Sequence, residues 1–553
     1  MKKLNLFTLL ILTVICINAY SQQNNINFHI RKSFGRSLTE NISSVVSDST
    51  GLYTIITSNS HNIFDIDTLS NDSLQRIYLV KLNFNADIIW VKQIENNQYY
   101  SAYDLVLNND ELYVTFIYND TITNQKSEVR KYDTSGTLLQ TTPIIESVIN
   151  PVIFSPFIKS FDSQNNLIIY GCYSDTIIVG SDTISVQPTG ILATNYYVIK
   201  LDTNYNVLWT FNLGGNEPYI YGLAIDETDQ IYITGEYSYN HIIYNQLDVN
   251  TSFNNQFSNI FIAKLSENGD LIWHKEIGQD LGSASNASNH SYDISYDNSL
   301  GLIITGNISG NMTFGDTVFN SFIDLNYLAQ FDTAGNFIKI RTFDSNNINI
   351  TSSQLSIDKN NSIYLFGNYK TYITGTQTFN LDGSVVSTTY DGTHWKYRDL
   401  FIFRFDYNMH NANVLTLNND TSLKYFSGNT ITYNNNLVLV GKYKNSLFFN
   451  DGYSLNNNGS YDVFVLSIKD SLNSNIKDNI LNYTNCNVFP NPTTGKITII
   501  ADEIANIVIR NLKGKQIYSG KETEIDLSQH PKGIYIIEIK TDKLSFTKKL
   551  ILQ

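Results

Sequence analysis

The sequence predicts an all-β protein assembled from repeats, and three observations carry that reading. The stretch YGLAIDETDQIYITGEYS at 221–238, continued by NIFIAKLSENGDLIWHKEIG at 259–278, falls on itself without a gap when moved back by 64 residues. Asp226 then meets Asp162, Gly235 meets Gly171, Tyr237 meets Tyr173, Lys264 meets Lys200, Trp273 meets Trp209 and Gly278 meets Gly214; a fixed spacing of that length marks a repeat architecture. The composition is rich in Asn, Ser, Thr and Tyr, with 13% aromatic and only 16% charged residues, which suits pleated surfaces joined by polar turns. The apolar runs are short and alternate with a period of two, and no 3.6-residue period is sustained.

In chain order, Lys2 and Lys3 precede an apolar run from Leu4 to Ile17 and then Asn18-Ala19-Tyr20-Ser21. A basic start, a short apolar stretch and a small-residue exit predict a secretory signal peptide over residues 1–21, cleaved after Ala19 or Ser21. The run is too short to be a transmembrane span. Cys16 lies inside it after the bulky Ile15, which argues against lipidation. Cys172, in a predicted strand, reads as a small buried apolar residue.

Each repeat shows four strand-like runs. The first ends near an Asp or Asn, as in YGLAID, and the second begins at Leu52, Leu112, Leu167, Ile231, Leu302, Ile363 and Leu437. Gly171, Gly235, Gly306, Gly367 and Gly441 close the second run in five units, with Ile56 and Phe116 in that place in the first two. The third run appears at 80–83, 130–133, 199–202, 263–266, 329–332, 403–406 and 466–469, followed by tight polar turns such as Asn-Gly-Asp. Seven four-stranded units, none able to bury both faces alone, predict a seven-bladed β-propeller over residues 24–470. The pattern D-x-x-x-x-I-Y-I-T-G followed by F-I-A-K-L-x-x-x-G-x-L-I-W-x-K-x-x-G resembles the bacterial β-propeller repeat family (SBBP-like repeats), a likeness that implies a fold rather than an activity. The seventh unit stops after its third run at Val463–Lys469, while Phe28–Gly35 matches a fourth run when set against Leu271–Gly278. The N-terminal strand is therefore expected to close the last blade and remove its open edge.

Long connections at 239–258, 371–398, 279–290 and 344–351 are expected on one face, where binding loops usually lie. The candidate binding residues are Tyr390, Asp391, His394, Trp395, Tyr397 and Arg398, because aromatics beside Arg stack on sugars or pack on a protein partner. The competing reading is that these residues cover their own blade, and the recurrence of IIVGSDTI, MTFGDTVF and LFFNDGYSL in this connection favours a structural part.

No G-x-S-x-G, H-E-x-x-H, C-x-x-C or P-loop pattern occurs, and the eight histidines are scattered singly. No catalytic residue and no metal ligand is therefore assigned, and no cofactor is expected. Asp226–Asp229 and Asp451–Asp462 are the oxygen-rich segments that a Ca²⁺ site would use, but turn chemistry accounts for both. The net charge of −14 is uneven: residues 486–553 carry 10 Lys+Arg against 7 Asp+Glu, and the rest 27 against 44. An acidic body excludes a nucleic-acid backbone as partner.

Residues 471–485 are polar and read as a linker. Beyond it, V-F-P-N-P-x-x-G at 488–495 places Pro490, Asn491, Pro492 and Gly495 at the entry to a small domain, where the prolines forbid a regular ladder. Alternating runs then predict a β-sandwich, Ig-like in kind, over 486–553. Together with N-L-K-G-K-Q-I (Gly514, Lys515), P-K-G-I-Y-I-I-E-I (Pro531, Gly533) and K-K-L-I-L-Q (Lys548, Lys549), the stretch resembles the type A C-terminal sorting domain of the type IX secretion system. The resemblance implies that residues 486–553 engage the type IX machinery after Sec export to the periplasm, leaving the body extracellular or on the outer-membrane surface. The expected function is a glycan- or protein-binding module, as in adhesion; the alternative is an extracellular hydrolase or lyase using loop-face carboxylates.

Overall fold

A computed structural model describes residues 27–553 apart from a set of breaks. The longer ones are 60–74, 149–155, 186–193, 279–288, 391–398, 418–423 and 470–486. The shorter ones are 36–38, 96–99, 120–124, 216–217, 246, 315–316, 345–347, 383, 411–412, 433–434, 450–452, 458–459, 490–492, 501–503, 512–514 and 542–544. Every regular element among the described residues is a strand, and the chain divides into two compact units, Met1–Ser471 and Leu472–Gln553. The signal-peptide reading of 1–21, with Ala19 and Ser21, falls outside the described residues.

The first unit is built from quartets of antiparallel strands. Their innermost strands are, in order, Glu40–Ser47, Tyr100–Asn108, Phe157–Phe161, Tyr219–Ile225, His290–Asp297, Ile348–Ile357 and Lys424–Ile431. Each inner strand touches the next, and the seventh touches the first. In the seventh quartet the outermost place is taken by Asn27–Phe34, antiparallel to Asp462–Lys469, with Phe28 opposite Ile468 and Phe34 opposite Val463.

Burial is layered from inside outward. Inner strands are half-buried, as in Lys424–Ile431. Second and third strands, such as Leu52–Ser58 and Arg76–Leu82, are buried almost throughout. Outer strands such as Ile88–Glu95 face solvent. The alternation expected of the second and third runs is thus overridden, because each lies between two neighbouring sheets and both of its faces are covered. The apolar side chains gather in clusters shared by successive quartets: first with second, and so on to sixth with seventh. A further cluster joins Ile30, Val438, Val440, Val463 and Val465 to Ile42, Val45, Leu52 and Val80 of the first quartet. Between these same quartets the Glu40 N–H donates to the Tyr461 carbonyl at 3.0 Å and Lys442 Nζ to Asn41 Oδ1 at 2.6 Å. Gly428 runs so close to the first inner strand that a Cβ would sit 3.0 Å from Ser44 Cα.

The repeated letters have structural causes. The Asp after the first run closes the turn: Asp162 Oδ1 accepts the N–H groups of Gln164 and Asn166, while its other oxygen pairs with Lys200 at 2.7 Å. Burial pushes the Asp162 carboxyl up, but Lys200, Asn166 and the turn N–H more than offset this and hold it below the ordinary range. Lys200 Nζ and Trp209 Nε1 both reach the Glu267 carbonyl in the next quartet's turn, at 3.0 and 2.9 Å. The glycine of I-Y-I-T-G faces the preceding strand, where a Cβ on Gly235 would overlap the Tyr219 carbonyl oxygen and one on Gly306 that of His290.

The connection at 239–258, expected as a loop, is instead largely paired. Ile231–Tyr244 and Leu247–Leu265 form one long hairpin, and Ile242–Tyr244 pair back onto Leu213–Gly215 of the preceding quartet. Ile177–Val179 do the same with Ile145–Ser147. The insert at 371–398 also contains a hairpin, Gly375–Leu381 with Ser384–Tyr390. Two of these connections thus supply backbone partners for the outer strand behind them, which satisfies an edge, while the hairpins at 375–390 and 446–456 pair within themselves.

The second unit has two sheets, one of Asn487–Phe489, Lys496–Ile500 and Glu524–Asp526, the other of Gln516–Gly520, Ile504–Asn511, Gly533–Thr541 and Ser545–Leu552. Ile497, Ile499 and Ile525 from the first share one core with Ile507, Ile537, Ile539 and Leu550 from the second.

Candidate functional site

Each of the seven inner strands is bulged against its second strand, for example between Ala102 and Asp104, Ile158 and Ser160, Ile220 and Gly222, and Ser291 and Asp293. The bulges in the other three lie between Ile42 and Val45, Ile350 and Ser352, and Phe426 and Gly428. A bulge re-aims a side chain that regular pleating would send elsewhere. The bulged Tyr103, Lys159, Tyr221, Tyr292 and Ser427 all line one cavity of about 640 Å³ at the centre of the first unit. That volume suits a small organic ligand.

The cavity has two unlike walls. One carries Tyr103, Tyr170, Tyr196, Tyr221 and Tyr292 with Asp104, Lys159 and Asp293; the other carries Ser43, Ser427, Asn429, Thr430 and Gln354. Asp104 Oδ1 accepts the Leu105 N–H at 2.9 Å, near the Ser44 hydroxyl of the first quartet, which donates to the Leu105 carbonyl at 3.3 Å. Asp293 accepts the Ile294 N–H at 2.8 Å and the Leu355 N–H of the next quartet at 2.9 Å. Burial pushes the Asp104 carboxyl up to about 6, against the Leu105 N–H, the nearby Ser44 hydroxyl and the Lys159 charge. Burial raises Asp293 as well, again opposed by Lys159. The Tyr170 phenol is raised by burial first and then by the charges of Asp104 and Asp293, so these groups act on one another across the cavity. At the rim, Tyr221 OH donates to Glu236 Oε1 at 2.9 Å and Glu236 Oε2 meets His290 Nδ1.

The sign of the Asp104 shift gives a measurable consequence. A carboxyl raised above its ordinary 3.8 favours the fold while protonated, and that contribution is lost as pH rises through about 6. At pH 7.5 the ionised group costs the fold about 2 kcal/mol. Asp104→Asn should therefore be more stable than the parent by about 2 kcal/mol at pH 7.5 and equal to it at pH 4. Urea unfolding at the two pH values tests this; a difference that does not change with pH contradicts it.

Of the residues expected to bind, Asp391, His394, Trp395, Tyr397 and Arg398 lie outside the described residues, and Tyr390 is placed only as the end of its hairpin strand, opposite Gly375. Cys172 is not the buried core residue expected: it is half-buried and lines the cavity beside Tyr196, because the alternation of the strand sends Tyr170 and Cys172 to the cavity side while Tyr173 is buried on the other. Asp226 spends its oxygens on the Thr228 and Gln230 N–H groups and Tyr232 OH, and Asp229 on Ser163 of the neighbouring quartet. Among the described residues no three His, Cys, Asp or Glu side chains converge as metal ligands would. Of the sorting motif, Pro490, Asn491, Pro492 and Gly514 are outside the described residues, Gly495, Lys515, Pro531 and Gly533 lie at or beside turns, and Lys548 and Lys549 lie in a strand opposite Ile537 and Ile536. Sequence reading missed Asp104, Lys159 and Asp293. The available signal was a charge inside an otherwise apolar or aromatic first run, as in FIKSF.

Residues 487–553 match the family described as secretion system C-terminal sorting domain. The chain is accordingly an all-β protein sent by type IX secretion to the cell surface or extracellular space. Its tail is the part recognised by that machinery, and among the described residues no helix is long and apolar enough to cross a membrane. No curated protein matches the chain. Among solved structures it is similar to a fungal alcohol oxidase of the AA5 family in complex with copper, at 10% identity and a TM-score of 0.36, covering 95% of this chain and 100% of that one. A protein of unknown function from Dyadobacter fermentans matches at 8% identity and 0.34, covering 80% and 100%. An exo-β-1,3-galactanase from Phanerochaete chrysosporium with galactose matches at 8% and 0.27, covering 80% and 96%. Likenesses this distant carry no inference about what this chain does.

Proposed function

We propose that the first unit, residues 24–470, is a seven-bladed β-propeller closed by its N-terminal strand, that 486–553 is its Ig-like export domain after a 471–485 linker, and that the body serves outside the cell as a glycan-binding module. The propeller reading is supported by the inner strands, each touching the next with the seventh touching the first, and by the cluster that Ile30 and Val465 share with Ile42 and Leu52. The observation that carries the binding reading is the channel itself, where a wall of tyrosines faces a wall of hydroxyls and amides. Aromatic faces take the C–H surface of a sugar ring, and short polar side chains take its hydroxyls. Export to the surface puts the channel where glycans are met.

A glycan array probed with the full chain tests this. Any glycan bound should lose about ten-fold in affinity with Tyr221→Ala, about 1.4 kcal/mol, and none with Tyr372→Ala, whose ring is exposed away from the channel. Binding that survives Tyr221→Ala unchanged moves the site elsewhere. The second reading, a glycoside hydrolase, is favoured by two carboxylates facing one channel with Asp104 raised to about 6. Polysaccharide cleavage lost in both Asp104→Asn and Asp293→Asn would establish it.

A further inference from the structure

One buried carboxylate at the cavity rim joins two quartets. Glu236, in the second strand of the fourth quartet, is 6% exposed. Its Oε1 accepts the Tyr221 hydroxyl at 2.9 Å, and its Oε2 meets Nδ1 of His290 in the fifth quartet's inner strand. An ionised carboxylate only accepts hydrogen bonds. Both neighbours are therefore donors here, Tyr221 through its O–H and His290 through Nδ1–H. The Tyr221 phenol is raised by burial first and then by the Glu236 charge, so it keeps its proton. That proton is spent on Glu236, and the lone pairs left on the phenol oxygen can only accept. Tyr221 is 38% exposed and lines the cavity, which leaves this acceptor open to a ligand.

The polarity is fixed before a ligand arrives. Tyr219 lies parallel to Tyr221 with ring centroids 5.9 Å apart, and Tyr292 parallel to His290 at 5.8 Å. These are same-face neighbours one pleat apart on adjacent inner strands. Tyr292 OH in turn donates to Asn307 Oδ1 at 3.0 Å.

We propose that Tyr221 is a specificity-determining residue that accepts a hydrogen bond from a ligand hydroxyl, with Glu236 and His290 as its positioning residues. The channel then takes neutral glycans and turns away those carrying a carboxylate or sulfate at this point. The proposal rests on the glycan-binding reading above and names the substrate class. A sugar hydroxyl can donate to the phenol oxygen. A carboxylate or sulfate oxygen has no proton to give there, and it would be set close to the Glu236 charge, a like-charge contact that costs affinity. A site built to pair one polar group rejects the analogue that cannot make the pair.

A glycan array probed with the full chain over a series of concentrations decides the matter, read on pairs of glycans that differ only in one carboxylate or sulfate. The neutral member should bind at least ten-fold more tightly, a difference of about 1.4 kcal/mol. Glu236→Gln presents an amide that donates to the phenol oxygen and frees its proton toward the cavity, so the gap should shrink to less than about three-fold. Loss of packing alone would weaken both members alike and leave their ratio unchanged. Tyr221→Phe keeps the ring and removes the acceptor. Its neutral members should lose about five-fold, the usual worth of one hydrogen bond, and its acidic members nothing. This second variant keeps the test decisive where the Gln variant folds poorly. Pairs bound equally by the parent overturn the selectivity and leave the glycan reading standing. A ratio that neither variant moves also overturns it. No glycan bound at all brings down both.

Discussion

Removal of Asn27–Phe34 should leave a first unit that no longer unfolds as one cooperative body. This strand contributes Ile30 to the cluster with Val463, Val465, Ile42 and Leu52, and Phe34 packs on the same cluster. Phe28 packs edge-on to Phe449 with ring centroids 5.0 Å apart, and Arg31 lies 4.6 Å over the same ring. Burial of such side chains is worth roughly 1.5–3 kcal/mol each. Three of them approach the whole net stability of a domain. Deletion also exposes the edge of Asp462–Lys469, whose apolar residues invite intermolecular pairing. Ile30→Asp is the milder version, placing an unpaired charge among valines at a cost of several kcal/mol. Circular dichroism with urea titration, and recovery on adding a peptide of residues 27–34, are the readouts. A truncated chain that unfolds at the parent midpoint, unaided, would refute the closure.

Asp399→Ala should cost about 3–5 kcal/mol, the penalty for stripping the partner from a buried charge. Lys424 is fully buried in the seventh inner strand, and its Nζ lies 2.9 Å from Asp399 Oδ1 in the sixth quartet. Asp399 Oδ2 accepts the Thr388 hydroxyl at 2.6 Å, tying the insert hairpin to the same pair. The Lys424 backbone carbonyl meanwhile takes Asn368 Nδ2. The double variant Asp399→Leu, Lys424→Met should recover most of the loss, because replacing both ions with apolar groups removes the desolvation cost along with the attraction. Thermal unfolding of the two variants measures this directly. A single variant as stable as the parent would show that solvent reaches Lys424.

The strands of this protein are legible in its sequence and the cavity lining is not. The strands beginning at Leu52, Ile231 or Leu302 were readable because short apolar runs bounded by Asn, Asp and Gly are local patterns. The insert at 239–258 was misread as loop because polar hairpin arms pair with each other and with Leu213–Gly215, and pairing partners leave no mark on composition. Cys172 was misread because its exposure depends on what lies across the channel rather than on its neighbours in sequence. The candidate residues at 390–398 stand out in the sequence by their chemistry alone.

By itself the sequence determined that the chain is all-β, that it is built by repetition, and that it ends in a secretion tail, since each of these depends on spacing and short-range pattern. Only the tertiary structure decided that Asp104, Lys159 and Asp293 face one cavity. They come from three different quartets, and each is set by a strand bulge, which is a mismatch between two strands and has no signature within either one.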